Sequence, residues 1–396
     1  MLAHSPPFPI VIDHFHTDGG DLMTGDDVEG IILALKHRDR VRRIRFRTPA
    51  HMMEKIVVPI DGEFSMLEYM CIAPMHDMSI RFPKTFQAPQ LRHLILANFI
   101  YPIGSPLLST AMGLVGLALV NMLPSTYFQP NKLLHRLSLL PQLETLSIGF
   151  DPSGSRNYVD LDVTHMHNST HISLPNLRFF QFLGFNPYSE ALLSRITAPH
   201  LEVVQVTFWE EETFSVPSLL QFMSTSEDLR LGSAILSFNG EGAKLSGYPN
   251  ETARSVFDMQ VDAGPGYKVS IAAQILNGLN PLLSSVMYLT LDYNDYRWYP
   301  ELQDEDEPTN WRVILRSFND VKILLVGEGV IGKLSRSLQL DDGESLDDLL
   351  PELKELAYSP TDNNADAFTG FIDARQNAGR PVTLVHLQNA VTTPLF

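Results

Sequence analysis

The residues best spaced for phosphate chemistry lie between Val321 and Leu334, which read VKILLVGEGVIGKL. An apolar run leads into Gly327-Glu328-Gly329-Val330-Ile331-Gly332-Lys333. This matches G-x-G-x-x-G, where glycines let the backbone approach a pyrophosphate. It falls one residue short of the phosphate-cradling loop, whose lysine reaches the phosphates and whose Ser or Thr holds magnesium. Three departures weigh against nucleotide chemistry. Leu334 stands where the Ser or Thr belongs, and Asp341-Asp342-Gly343 cuts the following helix short. No second apolar run ends in an acid about twenty residues on. The plainer expectation is a strand followed by a Gly-rich turn.

Histidines are the next candidates. His165, His167 and His171 sit in a polar stretch, and His14 and His16 lie near the N-terminus. Imidazoles at such spacing bind metals, but neither group has an H-E-x-x-H helix or a flanking acid set. The chain has no G-x-S-x-G elbow. Cys71 is its single cysteine, which excludes a disulfide framework and a CxxC pair within the chain. It lies in an alternating apolar run and reads as a small hydrophobe. We therefore expect no catalytic residue, cofactor or metal, and read the chain as non-enzymatic.

Recognition chemistry is better represented. Lys36-His37-Arg38-Asp39-Arg40-Val41-Arg42-Arg43-Ile44-Arg45-Phe46-Arg47 carries seven Lys and Arg against one acid. With Val41, Ile44 and Phe46 turned to a core, strand alternation puts Arg43, Arg45 and Arg47 on the opposite face. Equivalent positions further along are Tyr69, Cys71 and Ala73, then His93, Ile95 and Ala97, then Phe179, Gln181 and Leu183, then Val203, Gln205 and Thr207. The expected partner-binding residues are Arg43, Arg45, Arg47, Tyr69, His93, Phe179, Gln181 and Gln205, and an acidic protein segment is the expected partner. Asp13, Asp26, Asp27 and Glu29 are the nearest acids in sequence and compete for the arginines. Acidic runs at 301–307 and 341–348 read as solvated connections.

The elements that position these residues come from a recurring phrase. Ala88-Pro89-Gln90-Leu91, Leu140-Pro141-Gln142-Leu143, Leu174-Pro175-Asn176-Leu177, Ala198-Pro199-His200-Leu201 and Leu350-Pro351-Glu352-Leu353 each lead into apolar residues three and five positions on. The same spacing without Pro recurs at Val41/Ile44/Phe46, Leu67/Met70/Ile72, Leu114/Leu117/Leu119, Val286/Leu289/Leu291, Val321/Leu324/Val326 and Val382/Val385/Leu387. Weaker starts lie near Leu229 and Val256. The mean spacing is about 28 residues, within the range of leucine-rich repeats. Helices are expected at 26–38, 188–196, 217–223, 269–279, 309–318 and 365–377. Alternating strand and helix predicts an α/β fold, specifically a leucine-rich-repeat-like solenoid or horseshoe. Its parallel sheet lines the concave face and its helices the convex face. Residues 1–40 form a strand and helix leading into the array, and 41–396 form the array, weakest around 230–285.

The 396 residues include 29 Lys and Arg and 46 Asp and Glu, a net charge of −17. That balance disfavours nucleic acid and anionic membrane as partners. With 44% hydrophobic residues the chain can bury a core. The first residues lack the basic and apolar regions of a secretory signal, and the longest apolar stretch, 112–123, is too short to span a bilayer. An intracellular location, cytoplasmic or nuclear, is expected.

PFPIVID, DDVEGIILALKHRDRVRRIRFR, APQLRHLILANF, LPQLETLSIGF and APHLEVVQV together resemble the F-box-associated leucine-rich-repeat proteins of mushroom-forming (basidiomycete) fungi. The resemblance covers most of the chain from about Pro9 and rests on the order of the motifs. It implies a substrate-binding arm of a ubiquitin ligase. An F-box would dock to the ligase adaptor, but no such helical module precedes Pro9, so adaptor recruitment is implied only if one lies upstream. A truncated relative without ligase function, and a nucleotide-binding enzyme using residues 327–333, are the alternatives.

The nucleotide alternative has a direct check. Titration with ATP or NAD is expected to give no saturable binding, and Lys333→Ala no change. Saturable binding lost in that variant would overturn the non-enzymatic reading.

Overall fold

Each apolar-Pro-x-Leu phrase closes a β-turn. In the computed structural model the N–H of Leu91, Leu143, Leu177, Leu201 and Leu353 donates to the carbonyl three residues back, at 3.1–3.4 Å. Pro occupies the second turn position, where its fixed φ is already suitable and its missing N–H is not needed. Ala88, Leu140, Leu174, Ala198 and Leu350 at the start of the turn are buried, as are the five leucines at its end. Phe64–Leu67, Ala111–Leu114 and Leu283–Val286 make the same turn without Pro. The structure describes residues 8–14, 23–75, 80–122, 129–152, 171–209, 214–226, 229–239, 242–250, 254–262, 268–293, 307–339, 349–360 and 364–387.

The chain folds into two compact units, Met1–Leu201 and Glu202–Phe396. The first holds β1 (Ile10–His14), β2 (Val41–Pro49), β3 (Tyr69–Met75), β4 (His93–Ala97), β5 (Gly116–Met122), β6 (Thr145–Phe150), β7 (Ile172–Ser173), β8 (Phe179–Gly184) and β9 (Ile196–Thr197). Its helices are α1 (Gly25–Leu35), α2 (Ala50–Ile60), α3 (Leu107–Thr110), α4 (Pro130–Leu137) and α5 (Asn186–Leu193). Strands β1 to β6 and then β8 pair in chain order, all parallel. The short strands β7 and β9 form a separate parallel pair. One backbone ladder sets the register. Just after each turn, the N–H of Glu68 donates to Arg42, Arg92 to Glu68, Val115 to Arg92, Glu144 to Val115 and Arg178 to Glu144, each at 2.7–2.9 Å.

In this register Ile44, Met70, Leu94, Leu117, Leu146 and Phe180 form one row, and Phe46, Ile72, Leu96, Leu119, Ile148 and Phe182 the next. All are at most 2% exposed. Helix residues Val28, Ile31 and Leu35 of α1 and Met53, Ile56 and Ile60 of α2 are buried too. The core therefore lies on this face of the sheet. Helix α1 starts where the sequence indicates. The Thr24 hydroxyl accepts from the Asp27 N–H at 3.2 Å, and the Asp27 carboxylate accepts from the Thr24 N–H at 2.8 Å. Helices α2 and α4 were not among the expected ones. The expected helix at 365–377 begins only at Thr369.

The second unit contains β10 (Val203–Trp209), α6 (Pro217–Ser224), β11 (Ser233–Phe238), β12 (Gly242–Tyr248), β13 (Phe257–Asp262), α7 (Lys268–Leu283), β14 (Tyr288–Tyr293), α8 (Glu307–Arg316), β15 (Ile323–Val326), α9 (Ile331–Ser337), β16 (Glu355–Tyr358), α10 (Thr369–Asn377) and β17 (Thr383–His386). Its strand order is β10-β13-β12-β11-β14-β15-β16-β17. Two expectations are corrected here. First, the sheet is not parallel throughout, because β12 runs antiparallel to both β11 and β13. The weak starts at Leu229 and Val256 do precede strands, but the chain lays those strands down in reverse spatial order around β12. Secondly, the last repeat is out of phase by one residue. Leu384 pairs with Leu356 and His386 with Tyr358, so Val385 and Leu387 are not on the core row. Strand β17 ends the sheet with both faces partly exposed, so burial does not dictate its phase from sequence.

The fold is thus mixed α/β, dominated by mostly parallel sheet with helices. The turn leucines and turn prolines should contribute unequally to stability. Leu143→Ala empties a fully buried site and is expected to cost about 2–5 kcal/mol. Pro141→Ala only frees the unfolded chain and is expected to cost about 0.4–1 kcal/mol. Urea midpoints of the two variants measure the difference, and equal costs would contradict this division.

Candidate functional site

The face of the first unit's sheet opposite the core carries three rows of side chains. Cross-strand register aligns Val11, Arg43, Tyr69, His93, Gly116, Thr145 and Phe179 in one row. Asp13, Arg45, Cys71, Ile95, Ala118, Ser147 and Gln181 form the second. The third pairs Arg47 with Ala73, Ala97 with Val120, and Gly149 with Leu183. Seven of the eight residues expected to contact a partner thus share one face of one sheet. Gln205, the eighth, belongs to the second unit.

The three arginines differ in their surroundings. Asp13 Oδ2 lies 3.8 Å from Arg43 Nε, and the Arg43 guanidinium stands over the Tyr69 ring at 4.5 Å. Arg43 is therefore held by a carboxylate and an aromatic face. The pair is more than a third exposed on both sides, so its net worth is about 0–1 kcal/mol. Arg45 stands opposite Asp13 in register and beside Cys71. Arg47 is exposed and pairs across the strand with Ala73. Of the other competing acids, Asp27 is committed to the cap of α1. Hydrogen bonds from Thr24 hold its carboxyl below the usual range, and His14 Nε2 lies 3.8 Å away.

Tyr69 continues the row from Arg43 to His93, with ring centroids 6.0 Å apart. Gly116 follows, and an added Cβ there would require its neighbours' side chains to move. A Cβ would lie 2.7 Å from His93 Nδ1 and 2.9 Å from Thr145 Oγ1. The imidazole and the hydroxyl therefore close over the glycine from both sides. In the second row the Ser147 hydroxyl donates to Gln181 Oε1 at 2.7 Å. Burial pushes the Cys71 thiol above its ordinary range, against the pull of Arg45. Burial also raises the Tyr69 phenol, with Cys71 adding to the effect. Cys71 is buried at 7% exposure, so its role is that of a small side chain in the floor of the face.

Gln205 sits in a different environment. Register aligns it with Asp258 and Ser246. The Ser246 hydroxyl donates to Asp258 Oδ1 at 2.6 Å, the Gln205 amide donates to Asp258 Oδ2 at 3.5 Å, and Lys244 Nζ lies 3.6 Å from Asp258 Oδ1. Burial and the Asp258 charge raise the Tyr248 phenol. Sequence reading found Gln205 but none of these neighbours: Lys244, Ser246 and Tyr248 lie on β12, which carries no repeat phrase, and Asp258 follows the weak start at Val256. Thr145 and Ser147 were legible by contrast, two and four positions after Leu143.

The Gly-rich turn packs against its neighbour strand. After β15 comes a 3-10 turn, Glu328–Val330, and then α9, only seven residues long. A Cβ on Gly327 would lie 2.4 Å from Asp292 Oδ1, and one on Gly329 2.8 Å from Tyr293 Cβ. Lys333 Nζ stands 5.7 Å from the Tyr293 ring centre. The glycines make room for Asp292 and Tyr293. His16, His165, His167 and the acidic stretches 301–306 and 341–348 lie outside the described residues. Among the described residues no group of three His, Cys, Asp or Glu is placed to hold a metal ion. No helix among them is long and apolar enough to cross a membrane. A scan of protein-family models gives no match to the chain, and a search of curated proteins finds no relative.

The thiol offers a check of this face. The folded pKa of Cys71 lies above its unfolded value. The stability from keeping it neutral is therefore complete below the ordinary thiol pKa and is lost as pH rises through the folded value. At pH 8 the folded protein is expected to react with a disulfide reagent far more slowly than the urea-unfolded chain. Its rate should climb only above the ordinary thiol range. Equal rates at pH 8 would show Cys71 to be exposed.

Proposed function

We propose that the protein is a non-catalytic protein-interaction scaffold. In this reading it is a degenerate leucine-rich-repeat solenoid with its sheet on the concave side, similar to the substrate-binding arm of F-box proteins in ubiquitin ligases. The repeated turn, the in-register parallel ladder and the alternating strand and helix support the repeat reading. One observation carries the functional reading: cations, aromatics and small side chains share one face opposite the core. Such a mixture is typical of protein-recognition surfaces. The working location is intracellular, cytoplasmic or nuclear. Recruitment of a ligase adaptor follows only if an F-box lies upstream of Met1.

The arginines would act mainly by steering an acidic segment, since exposed charges change association rate more than affinity. Arg47, which is exposed, and Arg45, two residues before it on the same face, are the cations tested for this role. A pulldown is expected to recover a protein partner. Arg45→Ser with Arg47→Ser is then expected to slow its association on the order of tenfold at low salt and to flatten the salt dependence. The urea midpoint should stay unchanged. Unaltered association in the folded double variant, or turnover of a small substrate by the wild type, would sink this reading.

A further inference from the structure

The open face of the first unit is uneven in both height and charge. Along β3 to β5 its second and third rows hold Cys71, Ala73, Ile95, Ala97, Ala118 and Val120, all small or aliphatic. Tyr69, His93 and Thr145 in the first row stand taller along one side. Arg45 and Arg47 stand at the β2 end. These positions outline a trough that crosses the strands, with an apolar floor and a cationic end.

Charge identifies what fits it. Across β3, β4, β5, β6 and β8 the three rows contain no Asp or Glu; Asp13 on β1 is the single carboxylate of the aligned positions. This holds in a chain of net charge −17. Residues 1–201 carry 16 Lys and Arg against 17 Asp and Glu, whereas 202–396 carry 13 against 29. The corresponding face of the second unit includes Asp258, Asp262, Asp292 and Glu355. Acids are abundant in this protein and, among the described residues, are missing from these rows of β3 to β8, so an acidic ligand meets little repulsion there.

We propose that the trough binds an extended segment of a partner protein, acidic at one end and aliphatic at the other. The segment lies across the strands. Its carboxylates meet Arg45 and Arg47, and its aliphatic side chains rest on Ala73, Ile95, Ala97 and Ala118. This rests on the scaffold reading and specifies the partner for the same face. Strands lie about 4.8 Å apart, so β2 to β5 spans about 14 Å, or roughly four residues of extended chain. The acids of the ligand therefore lie roughly two to four residues from its aliphatic anchors.

The test is selection from a random decapeptide display library against the full chain, followed by titration of the enriched peptides. The enriched sequences are expected to share an acid and an aliphatic pair at that spacing. Ala97→Trp, which fills the trough, and Arg45→Glu with Arg47→Glu, which reverse its end, are each expected to weaken binding at least tenfold. Urea midpoints confirm that each variant is folded, and the arginine pair stands if Ala97→Trp is not. No enrichment, enriched peptides without acids, or binding unaffected by a folded Ala97→Trp overturns the trough. If the trough fails while the pulled-down partner still depends on Arg45 and Arg47, the scaffold reading survives without it. If that partner is also indifferent to both arginines, the two fall together.

Discussion

The turn that ends in a buried leucine is the constraint on which the rest of this structure depends. In each phrase a backbone hydrogen bond of 3.1–3.4 Å links the leucine N–H to a carbonyl three residues earlier, and both ends of the turn are buried. The next N–H then has one available acceptor, on the neighbouring strand. Repeated from Arg42 to Arg178, this arrangement sets the register of the first unit's sheet. A slip of one residue would expose rows now at most 2% exposed and bury arginines. The hydrophobic term that holds the turn therefore also decides which side chains face outward.

The open face follows from that constraint. Because Ile44 and Phe46 are fully buried, Arg43, Arg45 and Arg47 are outside. Their different roles come from the neighbouring strands. Asp13 on β1 and Tyr69 on β3 hold Arg43 from either side, while Arg47 faces Ala73. Gly116 lets His93 and Thr145 lean together, so the first row stays tall where the floor beside it is low. The aligned rows of this face thus combine cations at β2 with small and aliphatic side chains along β3 to β5.

The second unit shows how the same local rule tolerates a change of topology. Strands β11 and β13 keep parallel partners on their outer sides, in β14 and β10, while β12 fills the space between them antiparallel to both. The inserted strand brings Lys244 and Ser246 against Asp258. The Gly-rich turn after β15 likewise serves packing, with Asp292 and Tyr293 occupying the room its glycines leave.

The sequence by itself determined the phrase-bearing strands β2 to β6 and β8, their spacing, their buried rows and the outward direction of Arg43, Arg45, Arg47, Tyr69, His93, Phe179 and Gln181. These are local properties, because a turn phrase and a period of two are enough to assign faces. Tertiary structure alone decided that Asp13, rather than Asp26, Asp27 or Glu29, lies beside Arg43, because this depends on which strand pairs with β2. It decided the placement of β12, which carries no repeat phrase, and hence the surroundings of Gln205. It also corrected the phase of β17, where partial exposure of both faces leaves the apolar pattern ambiguous by one residue. Local sequence carries direction and spacing; adjacency between distant segments is settled by packing, and here it places Asp13 and Tyr69 against Arg43.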